Sequence, residues 1–133
     1  MDGGGSRRPG GDHGSPGLSL LHQRGFGNGR IINIDGVGNR LAGTLYGHEE
    51  VWFLVGENKI VPDEASALHR ARSVAAPLNN RRIGKRTPCA ARCDQCYDCQ
   101  SPDRGCAALM ILWRKPAGIQ RAHVVLIEEE LGY

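Results

Sequence analysis

Aromatic residues are scarce in this chain of 133 residues, where they make up 5% of the sequence. So few aromatic rings leave little surface on which nucleic-acid bases can stack. No apolar run reaches the roughly 18–20 residues that span a bilayer, and the apolar piece at residues 18–21 is too short for a secretory signal. The formal net charge is only +3. These absences exclude a membrane-spanning helix, disfavour nucleic acid as a partner and predict a cytoplasmic protein.

Familiar catalytic motifs are also missing. The sequence has no GxSxG nucleophile elbow, no Walker A loop and no HExxH zinc helix. Its five histidines show no ligand spacing. Cysteine is absent outside residues 89–106, and all five cysteines lie within that range. In a reducing compartment, clustered cysteines are more often metal-binding or redox-active than disulfide-bonded.

The chain divides into a leader and one domain. Residues 1–27 are rich in glycine and arginine and poor in branched residues, so they are predicted to be disordered. Residues 28–133 are predicted to form a single domain. Apolar runs predict strands at residues 30–35, 50–56, 106–115 and 122–133.

Two helices are predicted between these strands. Leu41 and Leu45 have helical spacing, and Gly47 is a plausible end. A second helix is predicted to begin at Asp63 and to be ended by Pro77. Alternation of strands and helices predicts an α/β fold with a mainly parallel sheet, in which the strand at residues 50–56 is buried on both faces.

Six segments together carry a resemblance to one family. The segments are NIDGVGNR (33–40), VGENKIV (55–61), AAPLNNRR (75–82), TPCA (87–90), CYDCQSPDRGC (96–106) and VVLIEEELGY (124–133). Their order and spacing resemble the LUD domain family of lactate-utilisation proteins, and the resemblance covers residues 28–133. It implies a partial three-layer α/β fold related to the formyltetrahydrofolate cyclo-ligase and sugar-phosphate isomerase type. It also implies a role in oxidising L-lactate to pyruvate, beside iron–sulfur partner proteins.

The chain departs from the family pattern in two respects. Family members carry a longer N-terminal half, which the leader replaces here, so the chain resembles an N-terminally truncated copy of the domain. The family pattern also matches Cys89, Cys96, Cys99 and Cys106, whereas Cys93 is an addition.

The cysteine segment allows three interpretations. Cys93, Cys96 and Cys99 have the spacing of the first three ligands in a bacterial ferredoxin run, but Cys106 comes too late for the fourth. The quartet of Cys89, Cys96, Cys99 and Cys106 can instead hold a zinc ion or an iron–sulfur cluster. A redox-active dithiol and a set of inert packing thiols are the alternatives. Nearby cations are expected to lower the thiol pKa values if they are close in space: Arg81, Arg82, Lys85, Arg86, Arg92 and Arg104.

A glycine loop follows the first predicted strand, at Asp35, Gly36, Gly38, Asn39 and Arg40. Ligands of α/β proteins bind at the carboxyl ends of strands, where glycines let the backbone approach an anion. The loop is therefore predicted to bind a small anionic ligand, although an ordinary turn is the simpler reading.

Asn58 and Lys59 follow the next strand and are predicted to lie at the same sheet edge and to join this ligand site. An exposed lysine at a helix start is the alternative.

Three functions remain open at this stage. The first is a lactate-utilisation protein that binds a small anion and holds metal or relays electrons through its cysteines. The second is a small zinc-knuckle module that binds nucleic acid. The third is an inactive remnant of the LUD domain, which the small predicted core favours.

Overall fold

A computed structural model describes residues 29–133 together with the backbone of the short strand β1, Ser19–Leu21. The larger of its two sheets has four strands in the order β4, β1, β2, β5. Besides β1, this sheet contains β2 (Ile31–Asp35), β4 (Ile60–Val61) and β5 (Ala108–Leu112). Strand β1 lies within residues 1–27, which the sequence predicts to be disordered, and it pairs with β2 and β4. The rest of that leader lies outside the described residues.

Strand β2 is the centre of the fold, since all five of its residues are buried. Ile31 packs into one hydrophobic cluster, whereas Ile32 and Ile34 pack into another. The two clusters lie on opposite faces because side chains alternate along a strand.

A separate two-stranded parallel sheet pairs β3 (Glu50–Gly56) with β6 (Arg121–Ile127). Phe53 and Val55 on β3 are buried against the cluster that contains Ile31. Trp52 and Leu54 point the other way and are 58% and 59% exposed. The prediction that this strand is buried on both faces is therefore wrong, because no described element covers its outer face.

The mixed α/β class is confirmed, but the sheet is not mainly parallel. Strand β2 runs antiparallel to both β1 and β5. Parallel pairing joins β1 to β4 and β3 to β6. The continuous apolar run of β2 reflects layers on both of its faces rather than parallel neighbours.

Helix α1 spans Asn39–Leu45, and Gly47 follows it with a left-handed φ of +88°, as predicted. The second helix begins after Asp63, whose Oδ1 accepts a hydrogen bond 2.7 Å long from the Ser66 amide. This start is the predicted one.

Pro77 does not end the second helix, contrary to the sequence prediction. The helix continues as α2 (Glu64–Arg70), a π-helical segment (Ala71–Ala75) and α3 (Ala76–Arg82). Proline cannot donate the usual backbone hydrogen bond, and a wider π turn just before it accommodates that loss. The fully buried Pro77 side chain fixes this bend against the core.

A short helix and a turn complete the described fold. Helix α4 spans Pro88–Arg92, and the Thr87 hydroxyl caps it by accepting a hydrogen bond from the Ala90 amide. A 3₁₀ turn, Glu57–Lys59, follows β3. The last predicted strand was too long, because β6 ends at Ile127 and residues 128–133 form a tail. In the described part of the chain, every helix is too short or too polar to cross a membrane.

Candidate functional site

Four of the five cysteines line one cavity of about 330 Å³, named here the cysteine cavity. They are Cys89, Cys96, Cys99 and Cys106, the quartet that the resemblance assigns as ligands. Cys93 does not line it. Its thiol donates to the carbonyl oxygens of Pro77 and Ala90 instead, at 3.8 and 3.6 Å.

Hydrogen bonds organise the sulfur atoms of the cysteine cavity. Asn80, only 3% exposed, directs its Nδ2 at the sulfurs of both Cys89 and Cys106, each at 3.8 Å. The Cys96 sulfur accepts from Arg72 Nη2 at 3.5 Å and from the Asp98 amide at 3.4 Å. Since one amide reaches two sulfurs, Cys89 and Cys106 face a common point.

Four cysteine thiolates are a donor set that suits a thiophilic metal, but the structure does not place them around one ion position. Zinc and iron–sulfur clusters both take four thiolates. In the described residues, no group of three or more His, Cys, Asp or Glu side chains is placed to hold a metal ion. The side chains of the quartet would have to turn toward one another to close such a site.

Burial, rather than the surrounding cations, controls the thiol of Cys106. Burial raises its pKa, and its neighbours Cys89 and Cys96 raise it further. The hydrogen bond from Asn80 and the charge of Arg104 act in the opposite direction without reversing the shift. Arg104 therefore acts on the pKa of Cys106 as predicted for a nearby cation, but burial outweighs it and the net shift is upward.

Most of the predicted cations are engaged away from the sulfurs. Arg81 donates to the carbonyl oxygens of Ala90 and Ala91 at 2.8 and 2.6 Å, at the end of α4. Lys85 pairs with Asp103 at 3.5 Å. These contacts of Arg81 and Lys85 hold the cysteine segment in place. The two positive charges therefore stabilise the local structure.

The carboxylate of Asp35 organises the glycine loop. Its Oδ2 accepts hydrogen bonds from the amides of Arg40 and Leu41, at 3.1 and 3.3 Å, and its Oδ1 pairs with Arg40 Nη2 at 3.1 Å. Burial alone would raise the pKa of Asp35, but the bonds from Arg40, Leu41 and Val37 lower it to about 2. The amides at the start of α1 therefore donate to Asp35 and are not available to a ligand of the glycine loop.

A second cavity of about 470 Å³ opens beside the loop, named here the glycine-loop cavity. Of the residues predicted to bind an anion, Asp35, Gly36, Asn39 and Arg40 line it, whereas Gly38 does not. Arg40 Nη1 is buried and has no hydrogen-bond partner among the described residues. The basic lining residues are Arg40, Arg82, Lys85 and Arg104, against the single carboxylate of Asp35.

Two glycines allow the glycine loop, the cysteine segment and Asn80 to pack closely. A Cβ atom at Gly36 would overlap the carbonyl oxygen of Gly105, and one at Gly105 would overlap Asn80 Oδ1. Gly105 lines the glycine-loop cavity and Asn80 lines the cysteine cavity. Arg104, which precedes Gly105, lines both, so the basic cavity and the thiol-lined cavity share a lining residue.

Comparison with protein families matches residues 27–127 to the model described as the LUD domain. The chain belongs to the LUD domain family. Comparison with curated proteins and with solved structures gave no match. The family membership makes the chain a domain related to lactate utilisation.

Asn58 and Lys59 of this LUD domain do not line the glycine-loop cavity. They follow β3, which belongs to a different sheet from β2, so the expected common sheet edge does not exist. Asn58 holds the C-terminal tail instead: its Nδ2 donates to the Gly132 carbonyl at 3.1 Å, and its Oδ1 accepts from the Leu131 amide at 3.2 Å. Lys59 is buried, not exposed.

Sequence reasoning did not name Asn80 or Arg72 as site residues of the LUD domain, and it named Arg82 and Arg104 only as cations near the thiols. Asn80 and Arg82 lie in the segment AAPLNNRR, and Arg104 lies in CYDCQSPDRGC, so the resemblance contained a signal for them. Arg72 gave none, because its helical spacing is also that of an ordinary solvated face.

Proposed function

We propose that this LUD-domain protein serves lactate utilisation by binding a small carboxylate anion, L-lactate or pyruvate, in the glycine-loop cavity. The observation that carries the proposal is the lining of that cavity by four basic side chains, one of which also lines the cysteine cavity. Arginine matches the geometry of a carboxylate, and its hydrogen bonds to one are charge-assisted. Arg40 Nη1, buried without a partner in the described part, supplies an unused donor.

We propose that the protein acts in the cytoplasm together with iron–sulfur partner proteins. Oxidation of L-lactate to pyruvate releases two electrons and two protons, and iron–sulfur partner proteins are the electron acceptors that the family resemblance implies. This chain would contribute the binding of the anion. We also propose that the fold is related to the formyltetrahydrofolate cyclo-ligase and sugar-phosphate isomerase type, as the resemblance implies.

Arg82 offers a direct test of the anion site. We expect Arg82→Gln to weaken binding of L-lactate or pyruvate at least about 10-fold, since a hydrogen bond to a charged group contributes about 1.5–3 kcal/mol. Isothermal titration calorimetry on the folded variant measures the change. Arg114→Gln is the matched control, because Arg114 is exposed and lies outside the cavity. Equal affinities for wild type and Arg82→Gln, or no binding to wild type, would contradict the proposal.

We further propose that Cys89, Cys96, Cys99 and Cys106 hold zinc or an iron–sulfur cluster. Their shared cavity and the exclusion of Cys93 from it support this assignment. A bound metal would keep the thiols deprotonated, Cys106 included, despite the burial that raises its pKa. In the absence of metal, the same geometry suits a redox dithiol.

Cys93, which does not line the cysteine cavity, provides a control for the four cysteines that do. After purification without air, we expect wild type and Cys93→Ser to contain equal metal, and Cys96→Ser to lose most of it. Iron, zinc and sulfide per chain, with an absorption spectrum, provide the measurement, and circular dichroism checks that each variant is folded. A metal-free wild type, or equal losses in both variants, would rule the site out.

The zinc-knuckle alternative is less well supported. Of the cations near the cysteines, Arg72 and Arg104 both pair with Asp98, at 3.1 and 3.2 Å. Local pairing leaves less charge for phosphates, which dominate nucleic-acid affinity. A salt-sensitive mobility shift on mixed DNA or RNA would favour that alternative.

A further inference from the structure

Two cationic side chains lie near Asn58, the residue that binds the C-terminal tail. Lys59 ends the 3₁₀ turn after β3 and is only 6% exposed. Arg70, half-buried, is the last residue of α2. Its Nε donates to the Asn58 carbonyl at 2.8 Å, whereas its Nη1 is buried and has no hydrogen-bond partner among the described residues.

No anionic group offsets these two charges within residues 29–133. Each ion pair found there joins other residues, and Lys59 Nζ donates to none of the described acceptors. Burial lowers the pKa of Lys59, the charge of Arg70 lowers it further, and burial lowers the pKa of Arg70 as well. An unpaired buried charge is costly, so the arrangement favours an external anion.

The surroundings hold the two cations in position. The Asn58 side chain clamps the tail at Leu131 and Gly132 through the bonds described above. A Cβ atom built on Gly132 would lie 3.5 Å from Lys59 Nζ, so the tail backbone passes directly beside the ammonium group. Arg70 is restrained by its Nε bond to the Asn58 carbonyl, so it binds an anion at a lower entropic cost than a mobile side chain would.

We propose that Lys59 and Arg70 form a second anion-binding site, which takes a phosphate or carboxylate group between the Lys59 ammonium and the free Nη1 of Arg70. The site is separate from the glycine-loop cavity, whose lining contains neither residue. Binding there would neutralise both cations and stabilise the tail against β3 and the 3₁₀ turn.

Thermal unfolding of the full chain tests this site with inorganic phosphate and, separately, acetate, each compared with chloride at equal ionic strength. We expect at least one of the two oxyanions to raise the midpoint of wild type, and the more effective one identifies the ligand class. Lys59→Met should lose that rise. In chloride it should be about as stable as wild type, because the methionine side chain keeps the apolar packing of the buried lysine stem.

Two further variants make the outcome specific. Arg70→Met should lose the oxyanion response as well, whereas Arg114→Met, at an exposed position, should keep it. Nuclear magnetic resonance should show the Gly132 amide shifting on titration in wild type and in Arg82→Gln alike, which separates this site from the glycine-loop cavity. A wild type that responds to neither oxyanion, or a Lys59→Met variant that is destabilised in chloride and keeps the response, would overturn the proposal.

Discussion

Replacing Gly105 with alanine is expected to lower the free energy of unfolding by about 3 kcal/mol, the upper range for overpacking a well-packed site. The new Cβ atom would overlap Asn80 Oδ1 and lie 3.0 Å from Asn80 Cγ. Asn80 has little freedom to retreat, because it is 3% exposed and reaches two cysteine sulfurs. Urea denaturation followed by circular dichroism measures the loss.

Gly43→Ala is the matched control for this substitution. Gly43 lies inside α1, and a Cβ atom there would meet nothing closer than His48 Nε2 at 3.5 Å, an ordinary contact. Alanine in a helix is favoured over glycine by about 0.5–1 kcal/mol, so this variant should be slightly more stable than wild type. Equal unfolding free energies for the two variants would mean that Gly105 and Asn80 are not tightly packed against each other.

Replacing Asp35 with alanine is the second change with a large expected effect, a loss of about 3 kcal/mol. The residue is 2% exposed, and its carboxylate both caps the start of α1 and pairs with Arg40. Removing it leaves the partly buried guanidinium of Arg40 without its counter-charge and the α1 amides without an acceptor. Urea denaturation at pH 7 measures this loss, and an unfolding free energy equal to that of wild type would contradict it.

The pH dependence of the same residue provides an independent check. The pKa of Asp35 is about 2 in the folded chain, below the ordinary 3.8. A depressed pKa contributes stability that is present above the ordinary value and is lost as the pH falls through the folded value. Between about pH 4 and pH 2, wild type should therefore lose about 2 kcal/mol from this group, and Asp35→Ala should lack that component. Parallel stability curves would show that the carboxylate is not coupled to folding.

The cysteine segment shows how much of the candidate site could be predicted from the sequence. The family resemblance separated four cysteines from Cys93, and the structure places those four, and not Cys93, around one cavity. Whether they bind metal stays a prediction, because side-chain directions and not spacing decide it. Lys59 shows the limit of such reasoning. Its place after a strand suggested that it joins the ligand site of the glycine loop, but β3 belongs to a different sheet from β2, which the glycine loop follows.

By itself, the sequence determined the family, the mixed α/β class, the approximate places of four strands and the start of the second helix. Those features depend on local patterns: apolar runs, the Asp63 cap and several long motifs. Only the tertiary structure decided the sheet order, the passage of the helix through Pro77, and the meeting of Arg82 and Arg104 at one cavity. The reason is physical, since strand pairing and cavity walls arise between segments far apart in the chain, whose mutual packing no local pattern encodes.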